Sequence, residues 1–197
     1  MTEIVIEAHR RKIPIDHPDG SVTPEKLSFV TWKKVFETEI TDTSTEYVID
    51  GLDGDKDKIY KIVFYGYLAP TSPDNYLVVI PNGVSASFSN LEHYASYDGS
   101  TTGHGYRLLD LDGFLLSRTG WGSATKAIAI GYLNAETGLE RIWRAISHTW
   151  VYGKASNAQV VYDYGCFWND SSTKITSLKI YASAGFNGKI MLFGLSR

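Results

Sequence analysis

The chain has 197 residues, 43% of them hydrophobic and 21% charged, which suits one domain with a sizeable buried core. Its net charge of −3 leaves no global basic field, so nucleic acid is set aside as a partner. With 13 Tyr, 5 Trp and 18 Gly the balance favours strands and turns, and an all-β fold is expected.

Residues 1–29 read as an N-terminal arm or docking segment. A short IVI run leads into the basic cluster His9, Arg10, Arg11 and Lys12, and then into IPIDHPDGSVTPEKL, whose three prolines disfavour any regular central element. The cluster is either a solvated patch or an assembly contact for an acidic partner. MTEIVIEAHRRK carries acidic residues early and too short an apolar run for a signal peptide. Nowhere do about 18 apolar residues run together, so no membrane insertion is expected.

From residue 30 to 197 the composition shifts to short strand-like runs separated by turn signals, the spacing of a two-sheet antiparallel β-sandwich of jelly-roll type. The predicted strands are Trp32 to Ile40, Glu46 to Ile49, Lys58 to Leu68, Tyr76 to Ile80, Val84 to Phe88, Tyr106 to Leu111, Phe114 to Ser117, Ala127 to Leu133, Leu139 to Ser147 and Val160 to Tyr164. Helical periodicity is confined to about two turns in PEKLSFV and LEHYAS. At the end, Thr176, Leu178, Ile180 and Ala182 alternate with Ser177, Lys179, Tyr181 and Ser183, the period of a half-buried strand. Ala184 to Gly188 then reads as a turn, and Ile190 to Leu195 as a central strand apolar on both faces. The fold is expected to close on this terminal hairpin.

Sites of chemistry are sparse. Asp53, Asp55 and Asp57 in DGLDGDKDK alternate as the first ligands of a calcium loop do, yet Lys58 stands where such a loop needs Gly and Phe64 where it needs Glu. A polar hairpin turn is the expected reading. His93, His104 and His148 lack the local spacing of a metal site, and Asp110 and Asp112 precede Gly113 as turn residues rather than as a glycosidase pair. Ser117 and Ser123 lack a nucleophile context, and Cys166, the single cysteine, sits among aromatics as a buried, inert thiol. No cofactor is expected. Trp143, Trp150 and Trp168 read as core or intersubunit packing, whereas Trp121 lies between Gly120 and Gly122 in a loop, where an indole can lie flat on a sugar ring or simply pack. Tyr97 and His104 are its candidate companions in a glycan site.

Two stretches carry a family resemblance. HPDGSVTPEKLSF resembles the linkers of phage tail-fibre proteins. TSLKIYASAGFNGKIMLFGLS resembles the C-terminal strand pair of many virion proteins, in which a Thr-Ser-Leu-x-Ile strand, a Gly-containing turn and a Leu-Tyr-Gly strand close a β-sandwich; Phe193 stands where Tyr is usual. DGLDGDKDKIYKIVF is similar to the corresponding early hairpin. The resemblance implies a non-enzymatic structural protein of a phage or archaeal virus particle, made in the host cytoplasm. It further implies a homo-oligomer, a trimer by analogy with fibres or else a pentamer, that contacts other virion proteins and host surface glycans. The lack of long shaft repeats favours a short spike, turret, fibre head or capsid decoration over a whole fibre. A carbohydrate-binding module acting alone, with Trp121 as its anchor, is the alternative, and a glycan-degrading enzyme stands behind it for want of a catalytic pair.

Overall fold

Alternation of apolar and polar residues, rather than any helical period, builds this protein. The computed structural model describes residues 31–71, 74–84, 88–97, 102–119, 125–151 and 158–195, all within the unit Thr31–Arg197. The strands are β1 Trp32–Ile49, β2 Ile59–Leu68, β3 Tyr76–Pro81, β4 Phe88–Tyr97, β5 Thr102–Leu111, β6 Phe114–Arg118, β7 Thr125–Asn134, β8 Arg141–Val151, β9 Ala158–Trp168 and β10 Leu178–Leu195. One helical turn, α1 Gly54–Asp57, joins β1 to β2. The strands pair antiparallel in the order β5-β4-β9-β8-β7-β2-β10-β3-β6, and β1 lies along the other side of β10. The fold is all-β and sandwich-like.

The two layers are one sheet folded over by its longest strands. β10 pairs with β2 through Phe186 to Leu195 and with β3 through Leu178 to Tyr181. Gly185, between those stretches, has φ 92°, and Gly188, just inside the first of them, φ 129°, conformations open to glycine and strained for other residues. β1 follows the same corner with register shifts between Ile40 and Ser44 and between Ser44 and Glu46. Both strands thus pass from a large layer, β5-β4-β9-β8-β7-β2, into a small one, β3-β6, as strands do when they switch sheets at a bend. Asn75, fully buried, pins the corner: its Nδ2 donates to the carbonyls of Ala69 (3.1 Å) and Gly185 (2.8 Å), and its Oδ1 accepts from the Ala184 N–H (3.1 Å).

Several sequence expectations change here. The terminal hairpin is a single bent strand: the segment Ala184 to Gly188 folds β10 over at its glycines instead of reversing it, because both of its edges already hold partners. Trp32 to Ile40 and Glu46 to Ile49 are one strand through the same corner. Leu91 to Ser96, read as a stretch of helical period, lies inside β4, where pairing to both β5 and β9 overrides local preference. Val84 to Phe88 contributes only Phe88 to a strand among the described residues. Asp50 to Lys58 is not a hairpin turn, since β1 and β2 pair with β10 and not with each other; α1 instead crosses between the layers, tied to Ile175 and Thr176 through the N–H groups of Gly54 and Leu52.

The core sits where β6 lies over β7, β8 and β9. Trp143 of β8 is fully buried, stacks on Phe114 with ring centroids 5.3 Å apart, and donates from Nε1 to the Leu115 carbonyl at 2.8 Å. Gly131 of β7 makes room for it, for a Cβ there would lie 2.2 Å from the indole. Asn90 of β4 serves the backbone of β6 from the side, accepting from Leu115 N–H (2.8 Å) and donating to the Gly113 carbonyl (3.0 Å).

The β9–β10 connection is organised by Asp170, whose carboxylate accepts from the N–H groups of Thr173 (2.9 Å) and Ser172 (3.0 Å). Hydrogen bonding from the Thr173 side chain foremost, then from its N–H and from Ser172, holds the Asp170 pKa down to about 2. A carboxylate depressed below its unfolded value of about 3.9 stabilises fully above that value and loses the contribution as pH falls toward the folded one. Asp170→Ala is therefore expected to cost less than about 1 kcal/mol at neutral pH, given solvent screening. The difference from the unsubstituted protein should shrink between about pH 4 and pH 2 in urea unfolding; a constant difference would contradict this.

Candidate functional site

Two surfaces depart from what a solvated sandwich needs. The first is the outward face of the large layer. In TKAIAIGYLN of β7 the small residues Ala127, Ala129 and Gly131 point inward, and Ile128, Ile130 and Tyr132 point out. β8 repeats this, with Ala145 inside and Ile142 and Ile146 outside, Ile146 being 60% exposed. A one-sided sheet ordinarily keeps its bulky apolar residues inside and polar ones out. The pattern is reversed because Trp143, Phe114 and Leu116 already fill the space beneath β7. Cross-strand pairing makes the outer residues contiguous: Ile130 sits opposite Ile146, Ile142 opposite Phe167, and Leu91 opposite Leu108. Tyr106, 82% exposed, ends the row on β5. Within the face, Arg144 and Asp163 pair with each other at 3.0 Å.

The second surface is a cavity of about 280 Å³ at the end of the large layer where β4 turns toward β5. Tyr94 and Ser96 of β4, Arg107 of β5, Arg118 of β6 and Tyr162 of β9 line it, with His104 and Tyr106 at its rim. A buried carboxylate orders this wall. Glu92, fully buried on β4, accepts from Arg107 Nε at 2.7 Å and lies 3.4 Å from Arg118 Nη1, while Arg118 Nη2 meets Asp74 at 3.0 Å. Burial pushes the Glu92 carboxyl upward and Arg118 opposes that shift; burial also pushes the Tyr162 hydroxyl up to about 12. The Arg118 guanidinium lies 5.3 Å from the Tyr162 ring and 5.8 Å from the Tyr76 ring. Glu92 Oε2, Arg107 Nη2 and the Tyr164 hydroxyl are buried here without a hydrogen-bond partner.

The residues singled out from sequence fall as follows. His104 reaches the rim of this cavity. Tyr97, 52% exposed, lies on the face of β4 opposite to Tyr94 and Ser96; His104, across from Ala95, is its diagonal neighbour on that outward face, so the two candidates adjoin each other at the edge of the cavity rather than inside it. Trp121, Ser123 and the cluster His9, Arg10, Arg11, Lys12 lie outside the described residues. Asp53, Asp55 and Asp57 go to separate partners: Asp53 caps α1 through the Lys56 N–H and pairs with Lys174 (2.8 Å), Asp55 accepts from Thr137 N–H (2.8 Å), and Asp57 accepts from the Tyr60 hydroxyl (3.1 Å). Among the described residues no group of three His, Cys, Asp or Glu side chains could hold a metal ion, and no helix is long and apolar enough to cross a membrane. Asp110 accepts from the Ser89 hydroxyl at 2.9 Å on the exposed side of β5. Cys166 is buried, and its thiol is pushed up to about 12. Trp143 and Trp168 are core, while Trp150 is half-buried on the outward face with the His148 ring tilted against it, centroids 4.2 Å apart.

Sequence reasoning missed Glu92, Tyr94, Arg107, Arg118 and Tyr162. The available signal was the alternation in LEHYAS and VVYDYGC, which sets Glu92, Tyr94 and Ser96, and likewise Tyr162 and Tyr164, on single faces. No family model, curated protein or solved structure matches this chain.

Proposed function

We propose that this chain is a non-enzymatic structural subunit of a virus particle, a spike, turret, fibre head or capsid decoration, that assembles with copies of itself and with other virion proteins. The virion assignment leans on the tail-fibre-like linker and the C-terminal strand sequence. The assembly role is carried by one observation, the outward apolar face of the large layer. Its thirteen exposed hydrophobic side chains on β2, β7, β8, β9, β4 and β5 offer on the order of 1,000 Å² of apolar surface, taking about half of the ~150–250 Å² of a large side chain. Monomeric proteins seldom expose patches beyond about 300–600 Å², and a stable interface takes about 800 Å² from each partner. A second copy is the occupant that suits it. The central ion pair, Arg144 with Asp163, is satisfied within the chain, and the other charges on this face have neighbours of their own, Lys61 over the Trp32 and Phe193 rings, Lys126 over the Tyr65 ring and Asp110 at the Ser89 hydroxyl, so the face can match itself across a symmetry axis. The long strand β1 fits that role poorly, because Lys33, Lys34, Glu37, Glu39 and Glu46 blunt it against strand addition.

Sedimentation velocity on the full chain tests this. Oligomers are expected to grow with concentration, and Ile130→Glu with Ile146→Glu, a cross-strand pair, should weaken association at least about a hundredfold by placing two charges in the contact. A chain that stays monomeric at its highest soluble concentration sinks the reading. A carbohydrate-binding module is the second reading, favoured by the polar cavity lined with tyrosine and arginine.

A further inference from the structure

We propose that the cavity between Tyr94, Ser96, Arg107, Arg118 and Tyr162 binds a neutral sugar ring. The inference rests on the carbohydrate-binding reading and not on assembly through the outer face, which lies on the other side of the same strands and meets the cavity only at its rim, at His104 and Tyr106.

Three properties of the wall lead to that ligand class. The first is its mixture of surfaces. A pyranose presents patches of C–H on its faces and hydroxyls around its rim, and it is held where an aromatic ring adjoins planar polar groups. Here the rings of Tyr94 and Tyr162 stand 6.3 Å apart, centroid to centroid, beside two guanidinium groups and the Ser96 hydroxyl. The depression on the outward face also holds a ring and a guanidinium, Tyr132 and Arg144, but Ile128, Ile130 and Ile146 make most of its lining apolar, and Arg144 is engaged by Asp163 at 3.0 Å.

The second is charge balance. Arg107 and Arg118 alone would suggest a phosphate or carboxylate ligand, but Glu92 and Asp74 stand against them at 2.7 to 3.9 Å. The cluster holds two cations and two anions, so an anionic ligand gains no net attraction. What remains on offer is a set of oriented hydrogen-bond groups, which suits hydroxyls. Because Glu92 is fully buried and bound to both arginines, their donors are held in place before the ligand arrives, and little ordering cost is left to the binding step.

The third is space kept open by glycine. Across from Tyr94 and Ser96, β5 carries Gly105 and Gly103. A Cβ at Gly105 would lie 2.8 Å from the Tyr94 hydroxyl oxygen, and one at Gly103 2.8 Å from Ser96 Oγ. Without them the Tyr94 ring could not lie back against β5, and it would stand into the cavity instead.

Saturation-transfer NMR on the full chain provides the test, with methyl glycosides of neutral hexoses and N-acetylhexosamines as probes and sialyllactose as the acidic comparison. At least one neutral glycoside is expected to bind. Arg107→Gln, which keeps an amide donor near the buried Glu92, should weaken that binding about tenfold or more, the worth of a hydrogen bond to a charged group. Tyr94→Leu should weaken it similarly, with near-ultraviolet circular dichroism confirming that each variant is folded, and Ile146→Glu should bind as the unsubstituted chain does. Failure of every neutral glycoside, binding of sialyllactose alone, or indifference to Arg107→Gln each overturns the proposal. Sedimentation results are untouched by any of these outcomes, so the site and the assembly surface stand or fall separately.

Discussion

Trp143→Ala is expected to destabilise the protein by about 3–5 kcal/mol, the cost of deleting a large buried aromatic whose surroundings cannot collapse. Three structural reasons place it at the upper end. The indole is fully buried, it stacks on Phe114 with the ring planes 11° apart, and it supplies the hydrogen bond to the Leu115 carbonyl. Gly131 cannot fill the void, having no side chain, and the backbone of β7 is held on both sides by β2 and β8. Trp143→Phe separates the contributions: it restores most of the ring contact and leaves the carbonyl unserved, at about 1–3 kcal/mol. Guanidinium unfolding reads both variants, with the midpoint moving and the slope unchanged. A loss under about 1 kcal/mol for Trp143→Ala would mean that β6 is not anchored through β8.

Arg141→Met should be the next most damaging change, at about 2–4 kcal/mol. Arg141 opens β8 with its side chain buried, and its guanidinium donates to three backbone carbonyls: Asp170 (3.2 Å), Glu136 (2.6 Å) and Thr173 (2.8 Å). Among the described residues no carboxylate is bonded to it, and burial lowers its pKa, so the cation is tolerated for the sake of those carbonyls. Methionine fills much the same volume and leaves all three acceptors without a donor. Arg141→Lys keeps the charge but concentrates its donors at one point, so it should recover only part of the loss. Because the carbonyls belong to the β7–β8 and β9–β10 connections, amide hydrogen exchange should accelerate around Thr137 to Glu140 and Asn169 to Thr173 before it does elsewhere. Uniform acceleration across the sheet would argue against a local clamp.

The two surfaces suit a subunit that is buried on one side and open on the other. The outward face of the large layer is charge-balanced at its centre, where Arg144 meets Asp163, and broad enough for a partner. The cavity opens on the inner side of β4, β5 and β9, near the end of the layer, and would remain accessible while that face is covered. Assembly would then multiply weak individual ligand contacts by raising their effective concentration.

Much of the strand pattern was legible in the chain itself. Lys58 to Leu68, Tyr76 to Ile80 and Phe114 to Ser117 match β2, β3 and β6 to within one residue at either end, because their alternation or apolar runs are bounded by polar turn residues. That the fold is all-β, and that residues 190–195 are central to it, was fixed by the same local periodicity. Local pattern could not tell a turn from a corner: Gly185 and Gly188 permit either, and the choice fell to β1 and β2, which pair with β10 along both edges. Nor could it tell which face of IAIGY turns inward, since both are apolar; the volume of Trp143 against Gly131 decided that. The polar cavity was the least visible of all. Tyr94, Arg107, Arg118 and Tyr162 come from four strands and meet only through cross-strand register and the packing of the small layer over the large one, which are relations between distant segments that no single stretch of sequence contains.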